Sequence, residues 1–153
     1  MITLKTEVDA AGVISQFRRF HDKEFPLCRR TVVEEIAGDV LSMTIERNPV
    51  DTGRSRSAWV ASLAQLGETA PAGWQGPHPV AAALSEGAGR ASLDITHDAE
   101  STTITITTAV PYVAFLEDGT RAMAPFLMVT RSLSQVRSRL ADLLAAALHS
   151  IKQ

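Results

Sequence analysis

An α+β fold is predicted for this chain, with N-terminal helices, an antiparallel sheet of about three to four strands carrying a long loop and a hairpin, and a C-terminal helix packed on the sheet. Three observations lead there. Apolar residues recur at spacings of three and four near both ends, Ile and Leu alternate with Thr in the middle, and Gly and Pro cluster between them. The first two spacings are the periods of helix and strand, and the clusters mark breaks. A length of 153 residues suits one domain, 1–153: a helical part at 1–47, a sheet at 48–120 with a flexible loop at 67–89, and a C-terminal helix at 121–153.

Ala10, Val13, Ile14, Phe17 and His21 make one helical stripe, with Arg18, Arg19, Asp22 and Lys23 between. Pro26 is expected to end or kink that helix. A second stripe follows in Val33, Ile36, Ala37, Val40 and Met43, closed by Asn48-Pro49. Asp51-Thr52-Gly53 supplies turn chemistry, an Asx-type acceptor before a glycine able to take positive φ. Beyond it Trp59, Ala61 and Leu63 alternate with Ala58, Val60 and Ser62, which reads as a strand over 55–64.

Five glycines and three prolines lie between Gly67 and Gly89, so no regular element is expected there. Trp74, in its middle, either faces a partner or folds back on the core. Leu93, Ile95 and His97 on one side of Asp98-Ala99-Glu100-Ser101, and Ile104 and Ile106 on the other, predict a hairpin. Tyr112 to Leu116 is a helical turn or a brief strand, ended by Glu117-Asp118-Gly119-Thr120. Phe126, Val129, Leu133, Val136, Leu140, Leu143 and Ala147 then mark a long helix, with Pro125 in its first turn.

Composition excludes several classes. At 45% hydrophobic and 21% charged the chain is globular, and with only 5% aromatics its core is aliphatic. One cysteine, Cys28, allows no internal disulfide and no Cys-based zinc cage. The acidic N-terminus is unlike a signal peptide, and no uncharged stretch reaches the length of a membrane span. Net charge is −2, but unevenly placed: residues 48–120 carry three basic and eight acidic side chains, formally −5, whereas 121–153 are formally +4. Opposite poles of this kind can pair within one chain or between copies, and the near-neutral whole disfavours bulk DNA binding.

Catalytic signatures are missing. His21, His78, His97 and His149 stand in no metal-ligand spacing, and no phosphate loop or nucleophile elbow occurs. No catalytic, metal or cofactor-binding residue is therefore expected. The one enzymatic alternative is a metal-dependent hydrolase using Glu117, Asp118 and His97.

Two motifs remain, Asn48-Pro49-Val50-Asp51-Thr52-Gly53-Arg54 leading to Trp59, and Pro111-Tyr112-Val113-Ala114-Phe115-Leu116-Glu117-Asp118-Gly119-Thr120 leading to Pro125-Phe126. Their order and separation resemble the tail-completion (neck, head-tail joining) proteins of long-tailed bacteriophages, minor tail protein Z-like. That family carries a Pro-Val-Asp-Thr-Gly-Arg-Leu turn, a Tyr and Glu-x-Gly-Thr turn and a Pro-Phe helix start. The resemblance covers roughly residues 27–133; Ser55 departs from it, where a bulkier apolar residue is common. It implies a non-enzymatic virion protein, made in the host cytoplasm, without cofactor. Such a subunit forms a homo-oligomeric ring, by resemblance hexameric, between the head connector or portal-associated proteins and the tail terminator or tail tube proteins. DNA passes through the lumen without sequence-specific binding, and no membrane is involved. A tail-terminator or connector ring subunit is the alternative within the same neck.

In that setting Asp51, Thr52 and Gly53 hold the first turn and Arg54 is placed to pair with a carboxylate of the same or a neighbouring subunit, Glu117 by preference. Trp59, Trp74, Tyr112, Gly119, Thr120, Pro125 and Phe126 complete the candidate turn and interface residues.

Overall fold

The computed structural model describes residues 10–98 and 100–150, without the side chains of Ala10, Ala11 and Val13. The N-terminal segment before Ala10, the side chains of Ala10 and Val13 in the first stripe, Ala99 of the hairpin loop and Lys152 of the basic C-terminus lie outside what is described.

Helix α1 spans Ala10–Arg19, a π-helical turn spans Phe20–Glu24, and α2 spans Phe25–Arg47. The backbone stays helical through all three. Of the two outcomes expected at Pro26, an end or a kink, the helix does not end, because the turn before it is widened: the Phe25 N–H donates to the Phe20 carbonyl, five residues back. A proline lacks its N–H and crowds the preceding turn, and a π turn relieves that crowding.

The expected strand at 55–64 is a helix, α3, Arg54–Gln65. Its buried residues, Ser55, Ser57, Ala58, Trp59, Ser62 and Leu63, recur at helical rather than strand spacing. Within the loop predicted at 67–89 a further helix, α4, occupies Ala81–Ala88. The hairpin is as expected, with β1 Ala91–His97 and β2 Thr102–Thr108 paired antiparallel, Leu93 opposite Ile106 and Ile95 opposite Ile104. Asp98 closes its loop, Oδ1 accepting the N–H groups of Glu100 and Ser101. These two strands are the whole sheet among the described residues, not three to four. Residues from Tyr112 onward resolve as a short helix, α5, Val113–Asp118.

Helix α6 runs Met128–Ser150, so Pro125 and Phe126 precede it rather than forming its first turn. It does not lie across the sheet: its main partner is α2, antiparallel to it, with Arg139 paired to Asp39 at 3.1 Å and Arg47 donating to Ser132 and Gln135. The described ion pair of the basic C-terminal segment thus goes to the N-terminal helices, not to the acidic middle.

The core forms where α2, α3, α5, the hairpin and the start of α6 meet. Leu41, Ile45, Ala58, Trp59, Leu63, Val110, Val113 and Met128 are buried together, with Trp74, Ile106, Tyr112 and Leu116 packed against them. Each large apolar side chain removed from water there contributes about 1.5–3 kcal/mol. The architecture is α+β, as predicted.

Candidate functional site

The two sequence motifs, some sixty residues apart, line one cleft of about 390 Å³. Pro49 to Ser55 form one wall, and Tyr112 and Leu116 form the other.

The first wall is a turn between two helices. Asn48 ends α2, its N–H donating to the Thr44 carbonyl, and it is fully buried, its Nδ2 donating to Ser55 Oγ at 2.7 Å. A bulky apolar residue at position 55 would deprive Asn48 of that acceptor, which accounts for Ser55 here. Gly53 takes φ 85° directly before α3, a conformation other residues adopt at a cost, and its carbonyl accepts the Ser57 N–H. The Thr52 carbonyl accepts from Val80 N–H at 3.3 Å, and the Ser57 hydroxyl donates to Leu84 O, so α4 is tied beneath the turn.

Arg56 was not singled out by the sequence, yet it ties together the segments behind the first turn. Its guanidinium donates to the carbonyls of Asn48 at 2.8 Å, Trp74 at 3.0 Å and Glu46 at 3.3 Å. A planar fork with five N–H groups suits three converging carbonyls. Through it the 67–80 segment is fastened to the end of α2, and Trp74 is folded back half-buried against the core.

Arg54 and Glu117 do not pair within the chain. Arg54 Nε lies 2.9 Å from Glu86 Oε2, and Arg90 reaches the same carboxylate at 3.1 Å. Glu117 is engaged elsewhere, accepting the backbone N–H groups of Val129 and Thr130, both at 2.9 Å, in the first turn of α6. Helix N-termini leave such N–H groups unpaired and favour negative charge. Burial pushes the Glu117 carboxyl up, but the hydrogen bonds from Thr130, Val129 and Met128 outweigh it and hold the group below its ordinary value.

The rest of the second motif is a compact knot. Gly119, at φ 78°, takes a position where a Cβ would sit 2.7 Å from the Met123 carbonyl oxygen. Thr120 and Met123 exchange backbone hydrogen bonds. Phe126 and Leu127 N–H groups donate to the Leu116 and Glu117 carbonyls at 2.9 and 3.2 Å, and Leu127 takes φ 52°, so α6 begins only at Met128. Pro125 and Phe126 stay exposed.

Of the sequence-predicted residues, Asp51, Thr52, Gly53, Arg54 and Tyr112 meet at the cleft. Glu117, Gly119, Thr120, Pro125 and Phe126 form the knot that follows α5, and Trp59 lies in the core. Besides Arg56, sequence reasoning missed Glu86 and the hydrogen bond that joins Asn48 to Ser55. Asn before Pro49 carried a helix-end signal, but nothing local marked Arg56 or Glu86. Among the described residues no group of three His, Cys, Asp or Glu side chains could hold a metal ion, and His97 contacts Thr102 on the hairpin instead.

Comparison with family models, with curated proteins and with solved structures finds no match to this chain.

Proposed function

We propose that the chain is a structural virion protein, a ring-forming tail-completion or neck subunit that joins a phage tail to the head connector. The observation that carries this reading is the shared cleft. Two motifs resembling the family's own turns, distant in sequence, are both built as rigid turns and open side by side to solvent. Side chains in and beside them hold the shape: Asn48 Nδ2 on Ser55, Arg56 on three carbonyls, Glu117 on α6. A scaffold of fixed turns suits docking better than turnover, where a poised acid, base or nucleophile is needed.

In this reading the ring is a homo-oligomer, six copies by resemblance, and DNA crosses its lumen without sequence-specific contacts. A chain of net charge −2 supplies little phosphate neutralisation, on which non-specific DNA affinity depends. The protein acts in the virion neck after synthesis in the host cytoplasm.

The test is deletion of the gene from the phage or prophage that encodes it. Full heads and finished tails that fail to join, with joining restored by added wild-type chain, are expected. Normal, infectious particles from the deletion contradict the proposal.

A further inference from the structure

Helices α2 and α6 are each 23 residues long and lie side by side, antiparallel. The N-terminal rod is longer than its partner. It continues past Glu24 through the π turn and α1, a further 15 residues or about 22 Å of helix at 1.5 Å per residue. Ser150 of α6 lies by Glu24, so α1 projects beyond the described end of α6. Its apolar residues are uncovered there, Ile14 at 52% and Phe17 at 67% exposure.

A complementary surface exists on the same chain. Between the start of α2 and the end of α6 runs a groove of about 490 Å³, with Leu27, Cys28, Leu143 and Ala147 as apolar lining and Glu24 and Glu35 beside them. Beyond the groove Glu35 leads toward Asp39, which Arg139 already holds at 3.1 Å, and toward Glu68, whose carboxyl is pushed up by burial first and then by the charges of Asp39 and Glu35. A cation brought here is favoured. Helix α1 ends in Arg18 and Arg19, of which Arg19 already pairs with Glu24 at 3.0 Å. The α1 of the same molecule cannot fold back onto this groove, since the Phe25 N–H to Phe20 carbonyl bond keeps α1 helically continuous with α2.

We propose that α1 of one copy docks through Ile14 and Phe17 in the α2–α6 groove of a second copy, with Arg18 meeting Glu35. Both halves of the contact, an amphipathic helix with an uncovered apolar face and an apolar groove with acidic flanks, belong to this one chain. Helix-in-groove recognition of this kind draws its affinity from a few apolar anchors, and opposite charges set the register. The contact supplies one joint for the ring but stands without it. A closed dimer made by the same contact would uphold this inference while removing support for a ring.

The experiment uses the full-length chain with the buried Cys28 kept, and peptide mapping of each disulfide identifies the two cysteines joined. Copies bearing Ile14→Cys are mixed with differently mass-tagged copies bearing Ala147→Cys and mildly oxidised, and sedimentation velocity follows the wild type and Phe17→Asp in parallel. A mixed disulfide species is expected, together with self-association weakened about tenfold or more in Phe17→Asp. An unchanged melting temperature in Phe17→Asp shows that its fold is intact, as Phe17 lies outside the core. Glu35→Arg is expected to weaken association and Arg18→Glu to restore it in the double variant. A monomeric wild type at all micromolar concentrations, an association that Phe17→Asp leaves unaltered, or no mixed disulfide overturns the proposal.

Discussion

The Glu117 carboxylate accepts the backbone N–H of Val129 at 2.9 Å, so α5 is latched to the first turn of α6 by a side chain that ends one helix and begins the next. It takes the Thr130 N–H as well. Helix caps of this kind are worth about 0.5–2 kcal/mol. Glu117→Gln keeps the shape and loses the charge; thermal unfolding is expected to show a loss of about 1 kcal/mol near neutral pH.

The same carboxylate gives a pH dependence with a definite sign. Its folded value lies below the unfolded one, because the hydrogen bonds outweigh burial. The stabilisation is therefore present above the unfolded value, about 4.3, and is lost as pH falls through the folded value. Unfolding free energy measured from about pH 6 down to about pH 3 should fall more steeply for wild type than for Glu117→Gln. Parallel curves would show that the latch carries no charge dependence.

Arg56 joins three backbone segments, and a lysine cannot reproduce its fork. Arg56→Lys is expected to cost about 1–3 kcal/mol and to speed amide exchange in residues 67–80 more than in the hairpin. Equal acceleration throughout the chain would argue against a local clamp.

Gly87 and Gly89 make a matched pair. A Cβ on Gly87 would overlap the Arg54 carbonyl, a backbone group with little room to yield, whereas on Gly89 its nearest neighbour would be Ser85 O at 3.5 Å. Gly87→Ala should therefore destabilise by about 1–3 kcal/mol or more, and Gly89→Ala by little. Denaturant melts of the two variants check the contrast.

These contacts bear on what the sequence could disclose. The hairpin and the amphipathic character of the terminal helices were legible, because Leu93, Ile95, Ile104 and Ile106 repeat every second residue and Val129, Val136 and Leu143 every seventh. Helix α3 was not, because half of its buried face is serine: Ser55, Ser57 and Ser62 are covered by tertiary packing that no hydropathy pattern registers. At Pro26 the choice between an end and a kink stayed open for a similar reason, since the π turn that accommodates it has no local sequence mark. At the site, the turns themselves were readable from Asp51-Thr52-Gly53 and Gly119-Thr120. The pairing of Arg54 with Glu117 does not form within the chain, where each has a nearer partner, one on α4 and one on α6.

The ion pair that replaced it is testable in its own right. Arg54 and Glu86 are both partly exposed, so a double-mutant cycle should return under about 1 kcal/mol for this pair and close to zero for Arg54 with Glu117. A large coupling between Arg54 and Glu117 in the assembled state alone would reveal a contact between copies.

The most direct measurement of the proposed role is a cryo-EM reconstruction of the head–tail junction of the particles this gene belongs to. The account predicts a ring of six copies of this chain around the DNA channel, between connector and tail, with the 48–55 turn and Tyr112 at a subunit or connector contact. Particles whose complete neck density leaves no place for the chain would contradict it.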